Sequence, residues 1–266
     1  MAQRCGPDRD VELTLHSSQQ PTQTPVDLYD RYASTSSLVG VDVERTIAWT
    51  FGYFTEHFRR YLPRERDAAI LDFGCGYGKN LVVLRQLGYS NCHGVDLSRE
   101  QVAFARQRLG LTQVECADGL QWLQGKDDTF DVILVMDVLE HLPLAALLDL
   151  GSKMRAALKP GGMLIVQTPN GMSPLNPFAY GDLTHVRAFT AQSLRQFFLH
   201  AGLEPVEYLE ALEHSHDVRS LAKRLMWKSV LRPAVHLFVR LAHGSMLGGA
   251  IYTANIIGIA RKPVRT

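Results

Sequence analysis

The sequence has few cysteines, four in 266 residues, and Cys5, Cys75, Cys92 and Cys116 include no pair at metal-ligand spacing. That excludes a disulfide scaffold and a cysteine-based zinc site, and is the usage expected in a reducing compartment. No stretch reaches the roughly 18 uninterrupted apolar residues of a membrane-spanning helix. The segment MAQRCGPDRDVELTLHSSQQPTQTPVD lacks a basic stretch followed by an apolar run, so no secretory leader is expected. A cytoplasmic protein is therefore expected, with peripheral contact at the inner face of the membrane left open. An excess of one charge is lacking too: 28 Lys and Arg against 27 Asp and Glu leave +1, without the overall basic field of a nucleic-acid binder. What is present, 46% hydrophobic and 21% charged residues, is a globular composition able to bury a core.

Organisation follows from hydrophobic period. Residues 1–26 read as a polar flexible N-terminal arm, and 27–64 as an N-terminal lid and a helix from Val43 to Tyr61, with Ile47, Trp49, Phe51, Phe54 and Phe58 at helical spacing. Within a core at 65–211, short apolar runs at 68–73, 91–97, 112–117, 130–136 and 162–168 alternate with helical stretches at 79–88, 98–110 and 144–158. Strands separated by such helices predict an α/β, doubly wound parallel sheet. Residues 169–189 have loop chemistry, and a loop that long inside a compact domain is usually functional. Thr190 caps a further helix, a strand follows near 205–209, a basic helical insertion spans 212–247, and 248–266 holds a closing strand and tail.

ILDFGCGYGKN carries the strongest motif. Gly74, Gly76 and Gly78 follow a strand directly and open a helix, which permits a tight turn and close approach of backbone to a ligand. The spacing is GxGxG; Lys79 stands where a dinucleotide fingerprint needs glycine, and no GK[ST] of a P-loop is present. Asp72 before the turn, Asp96 in GVDLS and Asp118 in ECADGL put carboxylates at the tips of successive strands, where open α/β sheets bind ligands.

These segments resemble the class I S-adenosylmethionine-dependent methyltransferases. The resemblance implies a Rossmann-like seven-stranded sheet, mostly parallel with the last strand antiparallel, and S-adenosyl-L-methionine as cofactor. It implies ribose contacts from Asp96, an adenine pocket from Leu97, Asp118 and Gly119, and roles for Asp72, Phe73, Gly74, Gly76 and Met136 around the methionine end and the turn. LKPGG at 158–162 matches the family's turn before the fifth strand.

The acceptor is approached by elimination. The [DNS]PP[YFW] motif of nucleobase amine methylation is absent after the fourth strand, where Met136-Asp137-Val138-Leu139 stands, and no Pro-Cys dipeptide supports cytosine C5 attack. An oxygen acceptor with a histidine base fits best, and His141 and His185 are both candidates. Asp137, Glu140, His141 and His185 form an alternative set for Mg²⁺ or a related ion; DxxEH resembles the ExxEH element of ubiquinone-pathway and small-RNA end methyltransferases, with Asp137 in place of the first Glu. Arg187 is a candidate clamp for an anionic group, and Tyr29, Arg31 and Tyr32 lie where related enzymes place a lid.

Residues 217–243 carry Arg219, Lys223, Arg224, Lys228, Arg232 and Arg240 against the single acid Asp217. Val218, Leu221, Ala222, Leu225 and Met226 recur at helical spacing beside them, Trp227 stands at the border, and Pro233 is expected to bend the helix. Such a helix suits either an anionic bilayer surface or packing over the acceptor site. The loop and the insertion resemble a bacterial methyltransferase subgroup associated with surface-polysaccharide assembly, which implies a glycan or other hydroxylated acceptor, lipid-linked in one version. The alternatives are a non-catalytic cofactor-binding scaffold and a metal-dependent enzyme acting on a quinol precursor or an RNA end.

Overall fold

The computed structural model describes residues 40–244 and 249–264. The N-terminal arm, Tyr29, Arg31 and Tyr32 lie outside the described residues. The chain runs α1 (Val43–His57), β1 (Ile70–Phe73), α2 (Lys79–Gln86), β2 (Cys92–Asp96), α3 (Arg99–Leu109), β3 (Val114–Cys116), α4 (Gly119–Trp122), β4 (Phe130–Met136), α5 (Leu144–Ala157), β5 (Leu158–Pro169), α6 (Pro177–Tyr180), α7 (Ala191–His200), β6 (Glu204–Glu210), α8 (Val218–Met226), α9 (Arg232–His243) and β7 (Asn255–Arg261). The seven strands form one sheet in the order β3-β2-β1-β4-β5-β7-β6. β1 to β5 are parallel, and β7 runs antiparallel to both β5 and β6.

The apolar run FDVILVM is buried from both sides because both faces of the sheet are covered. Val132 and Leu134 meet Tyr53 and Phe54 of α1 and Leu81, Val83 and Leu84 of α2 in one cluster. Ile133 and Val135 meet Leu147, Leu150 and Met154 of α5 and Leu194, Phe197 and Phe198 of α7 in the other. Caps fix the helix starts: Asp42 accepts from Arg45 N–H on α1, Ser98 from Gln101 N–H on α3, and Thr190 and Ser193 form a reciprocal capping box on α7. Chain order reverses between β1 and β4, so the crevice above their C-terminal ends is the switch point where such sheets bind ligands.

Three local expectations change. The first helix stops at His57, and Arg59–Tyr61 form a separate 3-10 turn. LKPGG is not a turn ahead of β5 but its first residues: Phe130 pairs with Leu158 and Val132 with Met163, so the four residues between them bulge from the ladder. Ahead of Pro233, a five-residue π turn, Trp227–Leu231, joins α8 to α9, and Pro233 sits in the first turn of α9. The wider turn offsets the backbone bond that a proline cannot donate.

The helical insertion is held through its polar side. Arg224 pairs with Glu56 of α1, and Arg232 lies 3.1 Å from Glu210 of β6 and bonds the carbonyl of Ala250. Asp217 and Ser220 form the capping box of α8.

Candidate active site

Asp72 ends β1 completely buried, with the Asn80 amide 3.4 Å from each carboxylate oxygen. Burial raises its carboxyl to about 7, against the opposing pull of Asn80 and Lys79. The next residues turn sharply. Gly74 has φ +71°, and a Cβ there would stand 2.4 Å from Val138 Cγ2; Gly78 has φ +88°, and a Cβ there would meet Leu111 at 2.3 Å. Only glycine fits both conformation and space.

The turn is tied to β2 by Asp96, whose Oδ2 accepts from Gly76 N–H at 2.7 Å and Oδ1 from Ser98 N–H at 2.8 Å. Burial raises the Asp96 carboxyl and these two amides oppose it. Each oxygen retains a lone pair that can accept from a diol. Leu97 beside it is 41% exposed, an apolar surface at the crevice lip. The Phe73 ring packs directly against Gly119, where a Cβ would come within 2.3 Å of it. Asp118 is exposed and caps α4 through Gln121 N–H at 3.1 Å, a local structural role beside the one expected of it. Met136 closes β4 half-buried against the α1–α2 cluster.

After β4 the chain passes through Asp137, in the left-handed region at φ +57°, a strained conformation for a non-glycine residue. Its N–H donates to the Gln167 carbonyl, and its carboxylate accepts from Gln167 Nε2 at 3.0 Å. Gln167 Oε1 in turn accepts from Tyr53 O–H at 2.6 Å. Burial raises both the Asp137 carboxyl and the Tyr53 hydroxyl.

Glu140 and His141 follow in a 3-10 turn, and the long loop folds over them: Val186 N–H donates to the Glu140 carbonyl. Glu140 is fully buried; Oε2 accepts from Thr168 O–H at 3.0 Å, and Oε1 has no hydrogen-bond partner. Burial and then Asp137 push its carboxyl well above the ordinary range. The His141 and His185 rings meet edge to face, centroids 4.6 Å apart. His141 Nδ1 lies 2.7 Å from Thr184 Oγ1, which lies 2.6 Å from Asp182 Oδ1. With Asp182 ionised, its oxygen takes the single Thr184 proton, so Thr184 accepts from Nδ1–H. Burial, then the neighbouring His185 ring, pushes His141 down to about 4, which keeps it neutral near pH 7.

The sequence and the architecture match known proteins. A family model described as a methyltransferase domain fits residues 47–208. The chain belongs to the class I S-adenosylmethionine-dependent methyltransferases. A ubiquinone biosynthesis O-methyltransferase from Methylocella silvestris is 31% identical over 148 residues, 50% of this chain and 55% of that one. A trans-aconitate 2-methyltransferase from Rhizobium leguminosarum is 27% identical over 140 residues, 51% of this chain and 53% of that one. The chain thus spans about half the length of the curated relatives it matches. Among solved structures, an S-adenosylmethionine-dependent methyltransferase from Archaeoglobus fulgidus superposes with a TM-score of 0.58 at 20% identity, covering 90% of this chain and 100% of that one, which supports the fold.

In this methyltransferase the four-residue metal set contracts to three. Donor atoms of Glu140, His141 and His185 lie within 4.8 Å of one another; Asp137 is turned to Gln167 instead. Two imidazoles and one carboxylate also make a poorer set for Mg²⁺, which prefers oxygen, than for a transition-series divalent ion. Arg187 contributes no ion pair among the described residues, and its Nε is buried without a hydrogen-bond partner. Tyr53, Gln167, Thr168, Asp182 and Thr184 were not singled out in sequence. Only Asp182 and Thr184 had a usable signal, since GDLTH puts both within three residues of His185. A cavity of about 460 Å³ lies between Pro174 of the loop, Leu212 after β6, Thr253 before β7, and Arg224, Trp227 and Val235 of the insertion. No described helix is long and apolar enough to cross a membrane.

Proposed function

We propose that this chain catalyses O-methylation of a hydroxylated small molecule, a glycan hydroxyl or a lipid-linked relative of one, with His141 as proton acceptor. The Asp182–Thr184–His141 relay carries this reading, because it fixes one imidazole by two short hydrogen bonds at the crevice where β4 and β5 end. The residues present suit the cofactor: Asp96 would accept from a ribose diol and Leu97 would border the adenine, while the fully buried Asp72 would act from behind the glycine turn. When bound, S-adenosylmethionine supplies an activated methyl group. The protein's part is to align the acceptor oxygen and take its proton. A base as weak as His141 suffices, because the hydroxyl proton becomes strongly acidic as its oxygen gains a carbon, and it then passes to the imidazole. The test is methyl transfer from labelled cofactor to a panel of hydroxylated acceptors by the wild type and by His141→Ala. Transfer that is undiminished in the variant overturns the assignment of the base.

A second reading has one specific observation behind it. Glu140 Oε1 and His185 Nδ1 are buried without hydrogen-bond partners beside His141, with Oε1 4.0 Å from His185 Nε2, so the three side chains could hold a transition-series divalent ion. Bound there, the ion would lower the pKa of an acceptor hydroxyl. This reading requires metal in the purified protein and activity lost to EDTA; activity indifferent to EDTA removes it.

A further inference from the structure

The helical insertion presents its apolar side to solvent. A helix added to a globular domain ordinarily turns its apolar stripe inward, but here the side facing the domain carries Ser220, Arg224, Trp227, Arg232 and Val235. The opposite side of α8 exposes Val218, Leu221, Leu225 and Met226, and that of α9 exposes Leu237, Phe238 and Leu241. Phe238 is 69% and Leu241 78% exposed, values that leave little doubt about direction.

The π turn explains how both halves keep this orientation. It resets the helical phase between Met226 and Arg232, so Arg224 reaches Glu56 and Arg232 reaches Glu210 on the same underside. The insertion therefore forms a nearly continuous rod of 26 residues, roughly 39 Å long at helical rise. Arg224 and Arg232 are consumed as anchors. Arg219, Lys228 and Arg240 are exposed with the apolar row, Lys223 is exposed at the edge of the cavity, and the only acid in the segment, Asp217, is used as a cap.

We propose that this face docks the protein on an anionic lipid bilayer, lying in the interface plane with the apolar row among the acyl chains and Arg219, Lys228 and Arg240 at the headgroups. The charge pattern selects this occupant: large apolar side chains interleaved with cations and without free acids match a negatively charged surface that also accepts hydrocarbon. The inference is independent of methyl transfer, since it requires neither cofactor nor base. The cavity described above lies on the opposite, domain-facing side of the same rod.

The experiment is sedimentation of the full chain with vesicles of phosphatidylglycerol and, separately, of phosphatidylcholine. Binding is expected to phosphatidylglycerol, to weaken as salt rises, and to be far lower on phosphatidylcholine. Phe238→Glu/Leu241→Glu should reduce vesicle affinity roughly ten-fold or more. Arg219→Glu/Arg240→Glu should reduce it similarly, and circular dichroism melts should show both variants folded. A wild type that stays in the supernatant with phosphatidylglycerol overturns the proposal, as does a folded Phe238→Glu/Leu241→Glu protein that binds as well as wild type. A concentration-dependent dimer that this variant abolishes, without vesicle binding by wild type, would assign the face to a second copy and also overturn it.

Discussion

His141 Nδ1 and Thr184 Oγ1 are 2.7 Å apart although 43 residues separate them in the chain. The contact joins the turn after β4 to the loop after β5, and Asp182 holds its far end at 2.6 Å. Proton count makes Thr184 the acceptor from Nδ1–H while Asp182 is ionised.

Thr184→Val removes that acceptor while keeping the side chain's shape. We expect the methylation rate to fall by about ten- to a hundred-fold, and His141→Ala to lower it by roughly 10²–10⁴-fold, typical of a general base. Cofactor affinity should be unaffected in both. Single-turnover kinetics beside calorimetry separates the two quantities; a Thr184→Val protein with full rate would show the relay to be structural only. A scaffold without catalytic function would instead keep its biological role after substitution of both His141 and His185.

Asp96 is the expected determinant of cofactor binding. Asp96→Ala removes a charged acceptor for two hydroxyls and also frees Gly76 N–H from its 2.7 Å bond. Hydrogen bonds to charged groups contribute about 1.5–3 kcal/mol each, so loss of affinity by roughly two orders of magnitude or more is expected. Isothermal titration with S-adenosylmethionine measures it, and near-wild-type affinity would remove Asp96 from the site.

Asp72 makes stability fall as pH rises. Its folded pKa of about 7 lies above the unfolded value of about 3.9, so between those limits the folded state binds the extra proton. Its contribution is therefore most favourable below about pH 4, is lost as pH climbs through about 7, and is then constant, a change on the order of 2–4 kcal/mol. Asp72→Asn should flatten that part of the profile. Urea unfolding of both proteins across this range checks it; parallel profiles would contradict the buried carboxyl's role.

Burial and Asp137 raise the Glu140 carboxyl, and glutamine keeps an acceptor for Thr168 O–H, so Glu140→Gln should change stability by less than about 1 kcal/mol. Glu140→Ala leaves Thr168 O–H without its 3.0 Å partner and should cost about 2–4 kcal/mol through the lost hydrogen bond and the cavity. Equilibrium denaturation distinguishes them. A Glu140→Gln loss as large as that of alanine would mean that the carboxylate is charged and paired.

What could be read in the sequence was local. β1, β4 and the GxGxG turn are continuous in the chain, and Asp96 ends an apolar run, so period and glycine spacing locate them. The Asp182–Thr184–His141 and Tyr53–Gln167–Asp137 chains cross 43 and 114 residues respectively, and no periodicity encodes such contacts. Asp137 was assigned to the metal set by its spacing, but its left-handed backbone and Gln167 turn it away. Helical spacing in 217–243 showed an apolar row and cations, yet not which side faces out; Glu56 and Glu210, distant in sequence, decide that.

The loop after β5 has a consequence for how new specificities can arise. Asp182, Thr184 and His185 all come from it, and Val186 fastens it to Glu140. The segment that borders an incoming molecule therefore also sets the orientation of the proton acceptor. Exchanging residues 170–189 between homologues would transplant acceptor preference and base alignment as one unit, whereas piecemeal changes within it would lose turnover before gaining a new acceptor.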